Sequence, residues 1–111
     1  MTKFLALYMG AADGSQPPPP SPDAIAKGMA AWNKWMTDHA SVVVETGGPL
    51  GKTKKASKAG VTDTKNAVAG YVIVEAPSHE AAAKMFLEHP HFAIFPGDSV
   101  EIMEVMPIPG Q

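Results

Sequence analysis

The run Val68–Ala76 reads Val-Ala-Gly-Tyr-Val-Ile-Val-Glu-Ala and is closed by Pro77-Ser78, which marks it as a β-strand rich in β-branched residues. Successive side chains of a strand point to opposite faces, so Val72 and Val74 belong to one face and Tyr71 and Ile73 to the other. Both faces are therefore apolar. The pattern recurs in Lys3–Met9, where Phe4, Ala6 and Tyr8 oppose Leu5, Leu7 and Met9, and in Val100–Met106, where Val100, Ile102 and Met106 oppose Met103 and Val105. A sheet with helices on one side only and water on the other should alternate apolar with polar. This chain calls for a sheet covered on both sides.

The remaining segments say what supplies one of those covers. After Lys3–Met9 and a Gly/Pro-rich loop from Gly10 to Pro22, Ser21 is a helix N-cap candidate, Pro22 suits the first helical position and Asp23 favours the helix dipole. A helix to about Ala40 is expected, with Ile25, Met29, Trp32 and Met36 as the stripe facing the sheet. Val42–Glu45 reads as a second strand ending in a turn at Thr46-Gly47-Gly48-Pro49, and the polar Gly51–Lys65 as a long hairpin connection with a short strand around Val61. Ser78 caps a second helix running to about His89 and ended by Pro90; Phe92–Gly97 is an apolar linker. The order is β-α-β-β-α-β. That is an α+β, ferredoxin-like sandwich in which two helices lie on one face of an antiparallel sheet, and 111 residues make it a single domain. The second face is then expected to be covered by a second copy, in a homodimer with the sheets face to face.

Composition closes several doors. With 45% hydrophobic and 18% charged residues the chain is globular, and no apolar run approaches the roughly 18 residues of a membrane span. No cleavage-site pattern follows Met1–Gly10, so the expected location is cytoplasmic. Zero cysteines exclude disulfides, thiolate metal sites and cysteine nucleophiles; a formal charge of -2 gives no case for nucleic acid. All nine basic residues are lysine, so no guanidinium fork is available to clamp an anion. Gly47–Thr53 has the letters of a phosphate loop, but its first required glycine falls on Thr46 and no long helix follows. The lysines of 52–58 lack interleaved aromatics and read as a solvated hairpin. No cofactor and no metal site is expected.

Several short motifs carry a resemblance. Lys3–Met9, Met29–Met36 with its tryptophans, Gly48-Pro49-Leu50, Gly70–Ala76, His89-Pro90-His91-Phe92 and Gly97-Asp98-Ser99-Val100-Glu101 together resemble the YCII-related (YciI-like) family over nearly the whole chain. The resemblance implies a dimeric α+β barrel, in a family whose members are held to be enzymes or small-molecule binders. The chain departs from the DGPF branch, having Thr62-Asp63-Thr64-Lys65 and Met106-Pro107 where that branch has its signature runs. The histidine proposed as catalytic in smaller relatives would fall at Ala31 or Trp32. No catalytic residue is carried over.

The topology gathers Tyr8, the loop 10–22, the lysine hairpin, His89, His91 and Asp98 at one end of the sheet. His91 and Asp98 flank the linker after the second helix and are the candidate general acid-base pair, the carboxylate orienting the imidazole. The bland alternative is that His91 caps the helix and Asp98 makes a local turn bond. His89 falls on the apolar face beside the sheet, and Tyr8 and Tyr71 offer hydroxyls. Trp32, Trp35 and Met36 are core or the wall of a small-molecule cavity, with Trp35 at the stripe's edge the better cavity candidate. His39 reads as a cap at the end of the first helix, at the far end from His91. The expected activity is ligand binding or acid-base chemistry on a small organic molecule, with a non-catalytic binding or regulatory dimer as the alternative.

Overall fold

The chain runs β1 (Thr2–Met9), α1 (Pro22–Asp38), β2 (Val43–Pro49), β3 (Thr53–Ser57), β4 (Gly60–Thr64), β5 (Val68–Ala76), α2 (His79–Lys84), α3 (Pro90–Ala93) and β6 (Ser99–Glu104). This is a computed structural model, and it describes every residue except Ala12, Gly14, Gln16 and Gln111, so part of the loop expected around Gly14 lies outside the described residues. Four strands form one antiparallel sheet in the order β2-β5-β1-β6, which is the ferredoxin-like α+β arrangement. β3 and β4 make a separate hairpin between β2 and β5.

The inward set of the central strands builds the core. Phe4, Ala6, Tyr8, Val72, Val74 and Ala76 are buried against Trp35 of α1 and Ala82 and Phe86 from the α2 region. Full burial of a side chain such as Phe4 or Val72 contributes about 1.5–3 kcal/mol. On the opposite face Leu5 pairs with Ile73 and Met103, and Leu7 with Tyr71 and Glu101. Leu5, Leu7, Tyr71 and Ile73 are only partly buried on this face, and Met103 is 39% exposed.

The helix caps follow the sequence. Ser21 Oγ accepts from the Ala24 amide at 3.2 Å, and Ser78 Oγ from the Ala81 amide at 3.1 Å. Elsewhere the chain departs from expectation. The buried line of α1 is Gly28 and Trp35, whereas Ile25 and Met29 are largely exposed. β2 does not end at Glu45; it continues to Pro49 through two register shifts, one between Val43 and Glu45 and one between Glu45 and Gly48 that includes Gly47 at φ +62°. The lysine segment forms its own two strands, with Val61 inside β4. Pro90 begins a helix rather than ending one: Glu88, at φ 61°, breaks the path after α2, and Pro90 then takes the first position of α3, where its missing N–H is no loss.

Candidate functional site

A cavity of about 270 Å³ opens at the end of the sheet to which the topology assigned the site. α1 contributes Met29 and Trp32, β1 contributes Tyr8, β2 and β5 contribute Thr46, Gly48, Pro49 and Ala69–Tyr71, and the chain after α2 adds His91 and Phe95. Its walls are mainly apolar and aromatic. The Tyr8 and Trp32 rings are 4.8 Å apart, and Trp32 and Phe95 6.1 Å. A volume just under the roughly 300 Å³ at which drug-sized sites begin suits a ligand of one ring.

His91 stands at the cavity on three backbone-anchored contacts. Its amide N–H donates to His89 Nδ1 at 3.0 Å, its carbonyl accepts from the Gly97 amide at 2.9 Å, and its ring Nε2–H donates to the Met9 carbonyl at 2.8 Å. Gly97 lies flat on the ring: a Cβ there would come within 2.4 Å of His91 Cε1, Nε2 and O, so only glycine fits. With Nε2 committed, Nδ1 is the nitrogen left to accept from a ligand; it has no protein partner among the described residues and is not a buried orphan.

The expected pairing of His91 with Asp98 is not formed. The Asp98 carboxylate accepts from Ser99 Oγ at 2.9 Å, while its amide N–H donates to the same Met9 carbonyl that holds His91, at 3.0 Å. A main-chain carbonyl, not a carboxylate, therefore orients the imidazole. Asp98 borders a second, shallower cavity of about 320 Å³ beside Phe86, Leu87 and Phe92.

His89 is fully buried and serves as the N-cap of α3, its side chain taking the place of the usual serine or aspartate. Around its ring stand Trp32 at 4.6 Å, Trp35 at 4.9 Å, Tyr8 at 5.1 Å and Phe86 at 5.7 Å. Burial, and then the charges of His91 and His39, hold its pKa down at about 4, so the ring is neutral at physiological pH. Burial likewise pushes the Tyr8 hydroxyl above the usual tyrosine range, leaving it a neutral O–H. His89 Nε2 lies 3.5 Å from that hydroxyl.

The two tryptophans exchange the roles expected of them. Trp35 is core, its indole N–H donating to the Met85 carbonyl at 3.0 Å, and Trp32 lines the cavity. The helix is turned further than its apolar stripe suggests because Gly28 admits Phe95 against its backbone. Tyr71 borders the cavity, but its hydroxyl donates to Glu45 at 2.9 Å, and that bond raises its pKa. His39 caps α1: its Nδ1–H donates to the Trp35 carbonyl at 2.8 Å and its ring stacks on Trp35 at 4.3 Å. Among the described residues no three His, Asp or Glu side chains converge as metal ligands, and no helix is long and apolar enough to cross a membrane.

Sequence reasoning placed Tyr8, His89 and His91 in this neighbourhood and passed over Phe95, Thr46 and Met29 as lining residues. Met29 belongs to the apolar stripe of α1, whereas no local signal marks Phe95 or Thr46, which reach the cavity through the tertiary fold.

No protein-family model matches the chain, and no curated protein matches it. Among solved structures it is similar to 5-chloro-2-hydroxyhydroquinone dehydrochlorinase from Burkholderia phenoliruptrix, solved in complex with 2,5-dihydroxybenzoquinone, at 17% identity over 94% of this chain and 93% of that one, with a TM-score of 0.56. At that identity the likeness establishes architecture alone: the chain shares the α+β fold of that protein, with its antiparallel sheet.

Proposed function

We propose that this protein binds a small, single-ring hydroxylated aromatic or quinone-like compound in the cavity between α1 and the sheet, with His91 accepting a ligand hydroxyl proton. The carrying observation is the cavity itself, in which aromatic walls from Trp32 and Phe95 stand beside the polar side chains of Tyr8, Thr46, Tyr71 and His91. A planar ring gains from stacking on such walls, and its hydroxyl finds an acceptor at His91 Nδ1. As a general base His91 would take the proton onto Nδ1, the O–H bond breaking as the N–H bond forms, while the Met9 carbonyl accepts from Nε2–H in both states. The dehydrochlorinase with the same fold, solved with a dihydroxybenzoquinone, supports this ligand class, and the sequence motifs support membership of the YCII-related family.

The non-catalytic reading draws on one specific observation: among the described residues no carboxylate bonds to His91 to stabilise its cation. Turnover separates the two readings, and binding precedes both. Titration of hydroquinone, which keeps its hydroxyl protons at neutral pH, against the intrinsic tryptophan fluorescence should quench it, and His91→Ala should weaken binding about tenfold, the worth of a well-oriented hydrogen bond. Absence of quenching at millimolar ligand rejects the assignment.

We further propose a two-fold homodimer through the uncovered face of the sheet, centred on Leu5, Leu7, Ile73 and Met103. The apolar character of that face supports it, since monomers rarely leave such a patch to water.

A further inference from the structure

We infer that His89 is a positioning residue that turns the Tyr8 hydroxyl proton toward the cavity, so that the site selects ligands presenting a carbonyl oxygen at that point. The inference rests on the aromatic-cavity reading above and narrows it.

His89 Nδ1 accepts the His91 amide N–H at 3.0 Å, and a ring nitrogen that accepts carries no proton. The neutral ring must then hold its proton on Nε2, the atom that faces Tyr8 Oη at 3.5 Å. The proton between the two groups belongs to the histidine. Tyr8 therefore presents a lone pair to His89, and its own O–H turns away. The hydroxyl proton is thereby turned away from the His89 side, and the cavity that Tyr8 lines is where a ligand oxygen can take it.

The arrangement is protected against reversal. Protonating His89 would place a second proton on Nδ1, against the amide it caps, inside a ring of Trp32, Trp35 and Phe86. The titratable groups acting on it are His91 and His39, and both oppose a positive charge. Beside Tyr8, with the ring centroids 5.3 Å apart, His91 offers the opposite polarity, an acceptor at Nδ1, so the pair would read a carbonyl and a hydroxyl on one small ring.

The test uses the full chain and two probes of similar shape, 4-hydroxybenzaldehyde and 4-methylphenol, which differ in whether a carbonyl faces the donor. Calorimetric titration should show the aldehyde preferred by about 3- to 10-fold, the effect of one hydrogen bond. His89→Asn keeps an acceptor for the His91 amide, so α3 remains capped, but it lacks a donor at the Nε2 position; it should erase the preference, as should Tyr8→Phe. His89→Gln, whose amide nitrogen reaches toward Tyr8, should restore it. Nitrogen NMR of the wild type should show His89 wholly as the Nε2–H tautomer. Equal affinity for the probes, a preference surviving in His89→Asn, or an Nδ1–H tautomer overturns the inference and leaves the cavity assignment standing. If neither probe binds, both fall together.

Discussion

The two faces of the central sheet are built from adjacent residues of the same strands, yet one is finished and the other is not. Phe4, Ala6, Val72 and Val74 are at most 1% exposed beneath the helices, whereas Leu5, Leu7 and Ile73, their immediate neighbours, remain partly open beside Met103. Hydrophobicity alone does not make a core. The helices supply one cover, and the second face has core composition without a core's partner.

Charge placed on each face should break this comparison in different ways. Val72→Asp buries a carboxylate with no partner and should leave the chain unfolded by circular dichroism, an effect of several kcal/mol. Leu7→Asp should preserve the circular dichroism spectrum and convert a dimer to a monomer in sedimentation equilibrium. A wild-type particle of 11.6 kDa at micromolar concentration would remove the dimer from the comparison.

Smaller effects sharpen the covered side. The folded pKa of His89, about 4, lies below its ordinary 6.5, so the unfolded chain binds the proton first. The stability linked to it is complete above pH 6.5 and is lost as pH falls through about 4. Melting temperatures between pH 7 and 4 should fall more steeply for wild type than for His89→Asn. Glu88 holds a left-handed backbone at φ 61°, and Glu88→Gly should gain about 1 kcal/mol in urea denaturation without altering ligand affinity. Reduced stability would show that the Glu88 side chain contributes more than its backbone strain removes.

What was legible in the sequence was local or periodic. Val68–Ala76 announces its strand by composition, and Ser21 and Ser78 announce helix starts because a cap needs only the amides that follow it. The ferredoxin-like arrangement followed from the succession of elements. The site was legible only as a neighbourhood: Tyr8, His89 and His91 converge, but nothing local reveals that Met9 would take the bond expected of Asp98. Proline at 90 was ambiguous for a physical reason, since the same missing N–H that ends one helix is tolerated at the start of the next. The rotation that exchanged Trp32 with Trp35 depends on Phe95, sixty residues away in the chain, and no periodicity within α1 encodes it.

That rotation gives Gly28 an importance out of proportion to its size. A Cβ at this position would stand 2.3 Å from Phe95 Cζ and within 2.9 Å of both neighbouring ring carbons, so the helix accepts a residue about 1 kcal/mol poorer than alanine to let the ring lie against it. Phe95 is also cavity wall. One methyl group at Gly28 would force that ring to shift and so reshape the wall of the chamber. The calibre of the binding site is thus governed from a position that no ligand touches, and a lineage of such proteins could retune which molecules fit without changing any residue that meets them.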